Sequence, residues 1–147
     1  MGLLKDIGSG PVGLDTAVFI YFIEDHLRYR RVIRPLFRAI DKGSVEAVTS
    51  ELTLLETLIV PYRAGNAVLA ERYEAILSGS RHLEMVPLSK QLLRAAAALR
   101  AATSLKTPDA LQVAAALSRR CSALVTNDRD LPGLPGMPIL QLESYVT

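Results

Sequence analysis

The chain has 147 residues, of which half are hydrophobic and 22% charged, with a formal net charge of +2 and one cysteine. That length suits one domain over residues 1–147 with a core from about 11 to 143; the composition excludes disorder, the lack of a long uninterrupted apolar run excludes a membrane-spanning protein, and the lone Cys121 excludes an intrachain disulfide or a cysteine metal cluster. The glycine-broken N-terminus lacks the apolar stretch of a signal peptide, so a reducing cytoplasm is the expected compartment.

Short apolar runs alternate with longer helix-period segments, which predicts an α/β fold with a central parallel sheet of about four or five strands flanked by helices. A first strand ends near Leu14 and a helix starts at Thr16. The next helix takes the Arg-rich stretch up to Asp41, with Pro35 in its first turn or kinking it. Residues 45–48 read as the second strand, and Ser50 as the N-cap of a helix whose apolar positions are Leu52, Leu55, Leu58 and Ile59. A helix over 67–77 and a strand over 82–86 follow. Ser89 caps an alanine- and leucine-rich helix through Ala101, and Thr107-Pro108-Asp109 opens another, with threonine as N-cap, proline at the first position and aspartate matched to the helix dipole. Ala110, Val113, Ala114 and Leu117 give that helix its core face, and strands over 123–125 and 138–140 complete the sheet.

Arg28, Arg30, Arg31, Arg34 and Arg38 cluster in one short stretch. On a helix Arg30, Arg34 and Arg38 stack at i, i+4 and i+8 while Ile33, Leu36, Phe37 and Ile40 turn inward, so the stripe is either a solvated face or a phosphate-contacting one. Asp15 and Asp128 fall just past predicted strand ends and Asp109 opens a helix. In open parallel sheets ligands bind outside the carboxyl ends of the strands, where such residues converge, although each aspartate alone is also explained as a helix cap or first-turn residue. Glu56 shares a stripe with Leu52 and Ile59 at the edge of an apolar face. A carboxylate drawn inward needs a partner, so it either serves a site, snorkels to water or pairs with an arginine.

Taken in order, GLDTAVFIYF, TSELTLLETL, LKTPDALQVAAAL and LVTNDRDL with a short strand after it resemble the PIN domain, and at this length the VapC-type toxins of bacterial toxin–antitoxin pairs. The resemblance spans roughly residues 11–143. It implies a metal-dependent ribonuclease whose acidic pocket holds Asp15, Glu56, Asp109 and Asp128, with Asp130 the alternative fourth member. Thr16, Thr126 and Asn127 are implied as residues that orient the acidic set. It also implies a VapB-type antitoxin whose tail presents a basic side chain to the pocket, and a homodimer. The aromatic surface of the first helices, through Phe19, Tyr21, Phe22, Leu36 and Phe37, is offered as part of the antitoxin's groove, the alternative being that these side chains are all core. The chain departs from the family's usual pattern at Ala17, Gln112, Ala115 and Leu131, none of them a proposed ligand.

An all-oxygen donor set suits Mg²⁺, or Mn²⁺ in its place, rather than zinc, and packed carboxylates repel unless a cation offsets them. Outside the four acids, seventeen basic residues face eleven acidic ones, a surplus able to draw RNA phosphates toward the pocket. The expected reaction is in-line attack by metal-activated water, leaving 5′-phosphate and 3′-hydroxyl ends, with Asp15 and Asp109 binding metal directly and Glu56 and Asp128 completing a second site or orienting water. Paired-histidine catalysis is disfavoured because His26 and His82 are both remote from predicted strand-end loops. A phosphoacceptor receiver would need an acidic neighbour for Asp15 that is not there. The remaining alternatives are a PIN-like module that binds RNA or protein without cutting, and a housekeeping PIN ribonuclease without an antitoxin.

Overall fold

The computed structural model describes residues 2–134 and 136–146. The apolar runs form five parallel strands, β1 (Val12–Leu14), β2 (Ala47–Ser50), β3 (Leu83–Val86), β4 (Ala123–Thr126) and β5 (Ile139–Gln141), in one sheet of order β3-β2-β1-β4-β5. The chain moves outward from β1 through β2 to β3, then crosses back over β1 to β4 and β5. Strand order therefore reverses between β1 and β4, the place where an open parallel sheet leaves a crevice at its carboxyl edge.

Seven helices cover the sheet among the described residues: α1 (Leu3–Ile7), α2 (Thr16–Ile23), α3 (Arg30–Asp41), α4 (Leu52–Arg63), α5 (Ala67–Gly79), α6 (Lys90–Ala102) and α7 (Thr107–Ser118). Because both faces are covered, the inner strands are buried along their length, and successive side chains serve opposite layers. Val12, Leu14, Ala47 and Val125 pack with Val18, Phe19, Ile33 and Leu36 of α2 and α3. Val48, Val86 and Leu124 pack with Leu92 and Ala96 of α6 and with α7. Gly13 permits the closest approach: a Cβ there would lie 2.9 Å from both Ala116 Cβ and Leu124 Cδ1. Only a glycine in β1 lets α7, and with it Asp109, settle on the sheet. Cys121 is packed in this second layer, and burial raises its thiol to about 11, as expected of a structural cysteine.

Several boundaries and faces differ from the sequence expectation. The second strand starts at Ala47, and Glu46 just before it pairs with His82 at 2.6 Å. Pro35 is interior to α3, which continues through it. Ser50 ends β2 and its hydroxyl accepts the Leu52 amide, while Glu51 takes the cap position with its carboxylate turned away to accept the Leu88 amide at 3.0 Å. The α4 leucine face is corrected more strongly: Thr53, Thr57, Leu58 and Pro61 are its buried residues, and Leu55 and Ile59 are 57% and 40% exposed. Leu58 keeps its expected inward place, while Thr53 is buried because it meets the hydroxyls of Thr16 in α2 and Thr49 in β2. Lys106, not Thr107, occupies the cap of α7, and Thr107 instead accepts a bond from Arg100. Every residue from Ala110 to Ala116 is buried while Leu117 is exposed, because α7 is sandwiched between sheet and α6. The short α1 and a 3₁₀ turn, Leu142–Tyr145, were not expected; Tyr145 donates to Asp6 and ties the two together.

Candidate active site

Four acidic side chains reach the carboxyl edge of the sheet from four separate elements. Asp15 follows β1 and caps α2: its Oδ1 accepts the Ala17 amide at 3.1 Å, and its own amide extends the ladder to Val125 O at 3.1 Å. Glu56 lies in the second turn of α4, Asp109 in the first turn of α7, and Asp128 in the loop after β4. Thr126, the last residue of β4, bridges two of them. Its hydroxyl donates to Asp15 Oδ2 and accepts the Asp128 amide at 3.0 Å.

Of the two candidates for the fourth acid, Asp128 is the one whose charge acts on both Asp15 and Asp109. Asp130 is exposed and contributes its backbone N–H to Asp128 Oδ1 at 2.9 Å, while Gln141 holds the Asp128 carbonyl at 2.9 Å. Burial raises the Asp15 carboxyl to about 7, against the bonds from Thr126 and Ala17, with Asp109 and Asp128 adding to the rise. Asp109 is raised to about 6, first by burial, then by the charge of Asp128, its bond to Asp128 and the charge of Glu56, with Lys106 opposing. Buried like charges without a counter-ion hold protons that a cation would displace. The set is open: among the described residues no three acidic, histidine or cysteine side chains close into a ready-made metal cage. Its chemistry nonetheless fits a hard divalent cation, since every available donor is a carboxylate oxygen.

Around the acids lies a polar layer that sequence reasoning only partly located. Thr16 donates to Glu56 Oε1 at 2.6 Å, so Glu56 has a hydroxyl partner rather than an arginine. Thr53 and Gln112 stand behind Thr16, at 3.1 and 3.4 Å. The signal for Thr53 was available as a Thr53, Thr57 repeat at i, i+4. Gln112 was visible as a departure from the family's usual pattern and as the one polar residue in an alanine-rich apolar run, but not as a partner of Thr16 and Thr53. Asn127 does not reach the acidic set. Its amide donates to the hydroxyls of Tyr21 at 3.1 Å and Tyr29 at 3.0 Å, and Tyr29 donates to Glu143 at 2.7 Å, locking the loop after β4 to α2, α3 and the C-terminal turn. His26 stacks against Tyr21 and Tyr29 with ring centroids 4.8 and 5.0 Å away, which places it beside this loop, nearer than its position in the sequence suggested.

The arginine stripe is divided by the fold. Arg30 and Arg34 pair with Asp25 at 3.0 and 2.8 Å, near the end of α3 that meets Asn127 through Tyr29. Arg38 lies two turns on, about 12 Å along the helix. There, with Arg34, Phe22, Phe37 and Ile76, it lines a groove of about 500 Å³ that ends at His82, beside the amino edge of the sheet.

The PIN domain family model matches residues 12–136. The chain belongs to the PIN-domain family. All four acidic residues lie within the matched span, and the PIN fold accounts for their arrival at one sheet edge. Among curated proteins no sequence matches the chain. Solved PIN-like structures share its fold: a toxin–antitoxin complex from Klebsiella pneumoniae, at 22% identity and TM-score 0.65, covers 90% of this chain and 97% of its own. DNA-bound VapBC from Salmonella typhimurium, at 24% identity and TM-score 0.64, covers 90% and 98%. VapBC2 from Rickettsia felis bound to a promoter DNA fragment, at 18% identity and TM-score 0.61, covers 88% and 97%.

Proposed function

We propose that this PIN-domain protein is the VapC-like toxin of a toxin–antitoxin pair: a Mg²⁺-dependent endoribonuclease acting in the cytoplasm and leaving 5′-phosphate and 3′-hydroxyl ends. The observation that carries the reading is the convergence of Asp15, Glu56, Asp109 and Asp128 beside the reversal between β1 and β4. Asp15 and Asp109 would hold Mg²⁺, or Mn²⁺ in its place, with Glu56 and Asp128 completing a second position or orienting water. When bound, the ion supplies Lewis-acid activation of water and offsets charge developing on the phosphate. The protein's own residues prepare that site. Thr126 and the Ala17 amide fix both oxygens of Asp15, so its carboxylate is presented in one orientation. Thr16 fixes one oxygen of Glu56, and the Asp130 amide fixes one of Asp128. Lys106 and Arg129, neighbours in sequence of Asp109 and Asp128, supply positive charge for the flanking phosphates, and Arg30, Arg34 and Arg38 extend it along α3.

The partner in this reading is a VapB-like antitoxin, and the complexes of similar fold support it. Phe22, partly buried, lines the α3 groove and supports it as an antitoxin seat, while Phe19, Leu36 and Phe37, on which Phe22 stacks at 3.9 Å, belong to the core. Leu55, Ile59 and Tyr62, exposed on one face of α4, support self-association as a homodimer. Among the described residues no helix is long and apolar enough to cross a membrane. The test is cleavage of end-labelled RNA by the purified protein with Mg²⁺ and again with EDTA, with the product ends identified. Metal-dependent products with 5′-phosphates are expected. Binding without cleavage would leave a non-cutting RNA module, and cyclic phosphates would overturn the mechanism.

A further inference from the structure

The polar layer behind Glu56 is a hydroxyl and amide network whose proton order is set from both ends. Gln112 is 5% exposed and lies one turn beyond Asp109 on α7. Its Oε1 faces the Ser50 backbone N–H at 3.3 Å, a group that can only donate, so the amide cannot be turned over without setting donor against donor. Its Nε2 is thereby aimed at Thr53 Oγ1, 2.8 Å away, and at Thr16 Oγ1, 3.4 Å away. At the other end, Thr49 faces the Leu14 carbonyl at 2.7 Å and Gln112 Oε1 at 3.4 Å, both of which only accept, so its hydroxyl donates in either direction. Thr49 is left as the acceptor for the Thr53 hydroxyl, 2.8 Å away. The Glu56 carboxylate can only accept, so the Thr16 hydrogen goes to its Oε1 at 2.6 Å, while Gln112 Nε2 fills acceptor positions on Thr53 and Thr16 and Thr53 donates to Thr49.

We propose that Gln112 is a positioning residue for Glu56: through Thr53 and Thr16 its buried amide commits the Thr16 hydroxyl as a donor and holds the Glu56 carboxylate in one orientation at the acidic pocket. Thr53 is fully buried and Thr49 nearly so, so these two hydroxyls have no competing water, while Thr16 lies at the partly exposed end of the network. The second oxygen of Glu56 has no hydrogen-bond partner among the described residues, which leaves it available to the pocket. This rests on the nuclease reading for its consequence, but not for its geometry.

The test compares metal-free crystal structures of wild type, Gln112→Met and Gln112→Glu, with Mn²⁺ affinity by electron paramagnetic resonance and thermal melting alongside. Gln112→Met keeps the length of the side chain and removes its hydrogen bonds. Gln112→Glu keeps the acceptor for Ser50 should the first variant fail to fold, but removes the N–H donors, so Thr16 and Thr53 can turn toward position 112. In either variant Glu56 is expected to leave Thr16. Gln112→Met should weaken Mn²⁺ binding about tenfold, within the range of ligand-supporting residues generally. Thr16→Val should reproduce that loss, the double variant should add nothing to it, and Thr16→Ser should restore wild-type affinity. If Glu56 keeps its bond to Thr16 in both Gln112 variants, the proposal is overturned and Gln112 is a packing residue, whatever happens to the melting temperature. Wild-type protein that binds no Mn²⁺ would instead overturn the nuclease reading, while the position of Glu56 in the crystals would still decide the role of Gln112.

Discussion

At the scale of single residues, the acidic set works against the fold that holds it. Asp15 keeps its proton up to about 7 in the folded protein, whereas the unfolded chain releases it near the ordinary 3.8. Between those values the folded state binds more protons, so the stability this group contributes is fully present below 3.8 and is lost as pH rises through about 7. In EDTA, urea midpoints of wild type are therefore expected to fall from pH 4 to pH 8 more steeply than those of Asp15→Asn. Equal slopes would show that Asp15 titrates as an exposed carboxylate. The same variant, like Asp109→Asn, is expected to lose cleavage completely while remaining folded, and full activity in both would remove them from the site. Thr126→Val breaks the bridge between Asp15 and Asp128 without touching either charge. A drop of about 10- to 100-fold in kcat is expected, with circular dichroism unchanged.

Elements position these residues through a few close contacts. β1 and α7 meet where Gly13 has no side chain, and a methyl group there has no room beside Ala116 and Leu124. Gly13→Ala is expected to destabilise the protein by about 1–3 kcal/mol, the usual cost of overpacking. It should also lower activity in the surviving folded fraction, because α7 carries Asp109 with it. An unchanged urea midpoint would mean that α7 yields freely. Helix α4 presents two faces of unlike character, with Thr53 in the network behind the acidic pocket and Leu55, Ile59 and Tyr62 exposed on the outer side. If the outward face joins two copies, Leu55→Glu with Tyr62→Glu is expected to convert a dimer to a monomer in sedimentation and leave RNA cleavage by the folded monomer measurable. Wild type that sediments as a monomer throughout the micromolar range would assign that face no self-association.

For the whole molecule, charge and partner act at different places. Neutralising Arg30, Arg34 and Arg38 together is expected to weaken RNA binding and to reduce its dependence on salt, since each lost phosphate contact removes released counterions. A salt slope equal to that of wild type would leave the stripe as a solvated face tied down by Asp25. In cells, expression of the chain alone is expected to arrest growth, co-expression of the neighbouring reading frame to relieve the arrest, and Asp15→Asn to abolish it. Harmless expression of an active nuclease that captures no partner would favour a housekeeping PIN ribonuclease.

The sequence by itself determined the strand-and-helix alternation, because a period of two or of 3.6 is a local property, and it marked the strand-end aspartates, because capping and strand termination are local too. It could not determine which side of α4 is buried. The leucines outnumber the threonines, but Thr53 faces inward because Thr16, Thr49 and Gln112 meet it there. Nor could it choose between Asp128 and Asp130, since that depends on which carboxylate comes near enough to Asp15 and Asp109 for its charge to act on them, and Asp130 gives its backbone amide to Asp128 instead. The partner of Glu56 lies 40 residues away, and that of Asn127 about a hundred. Such bonds exist only once the sheet order places β1 between β2 and β4, so tertiary structure alone decided them.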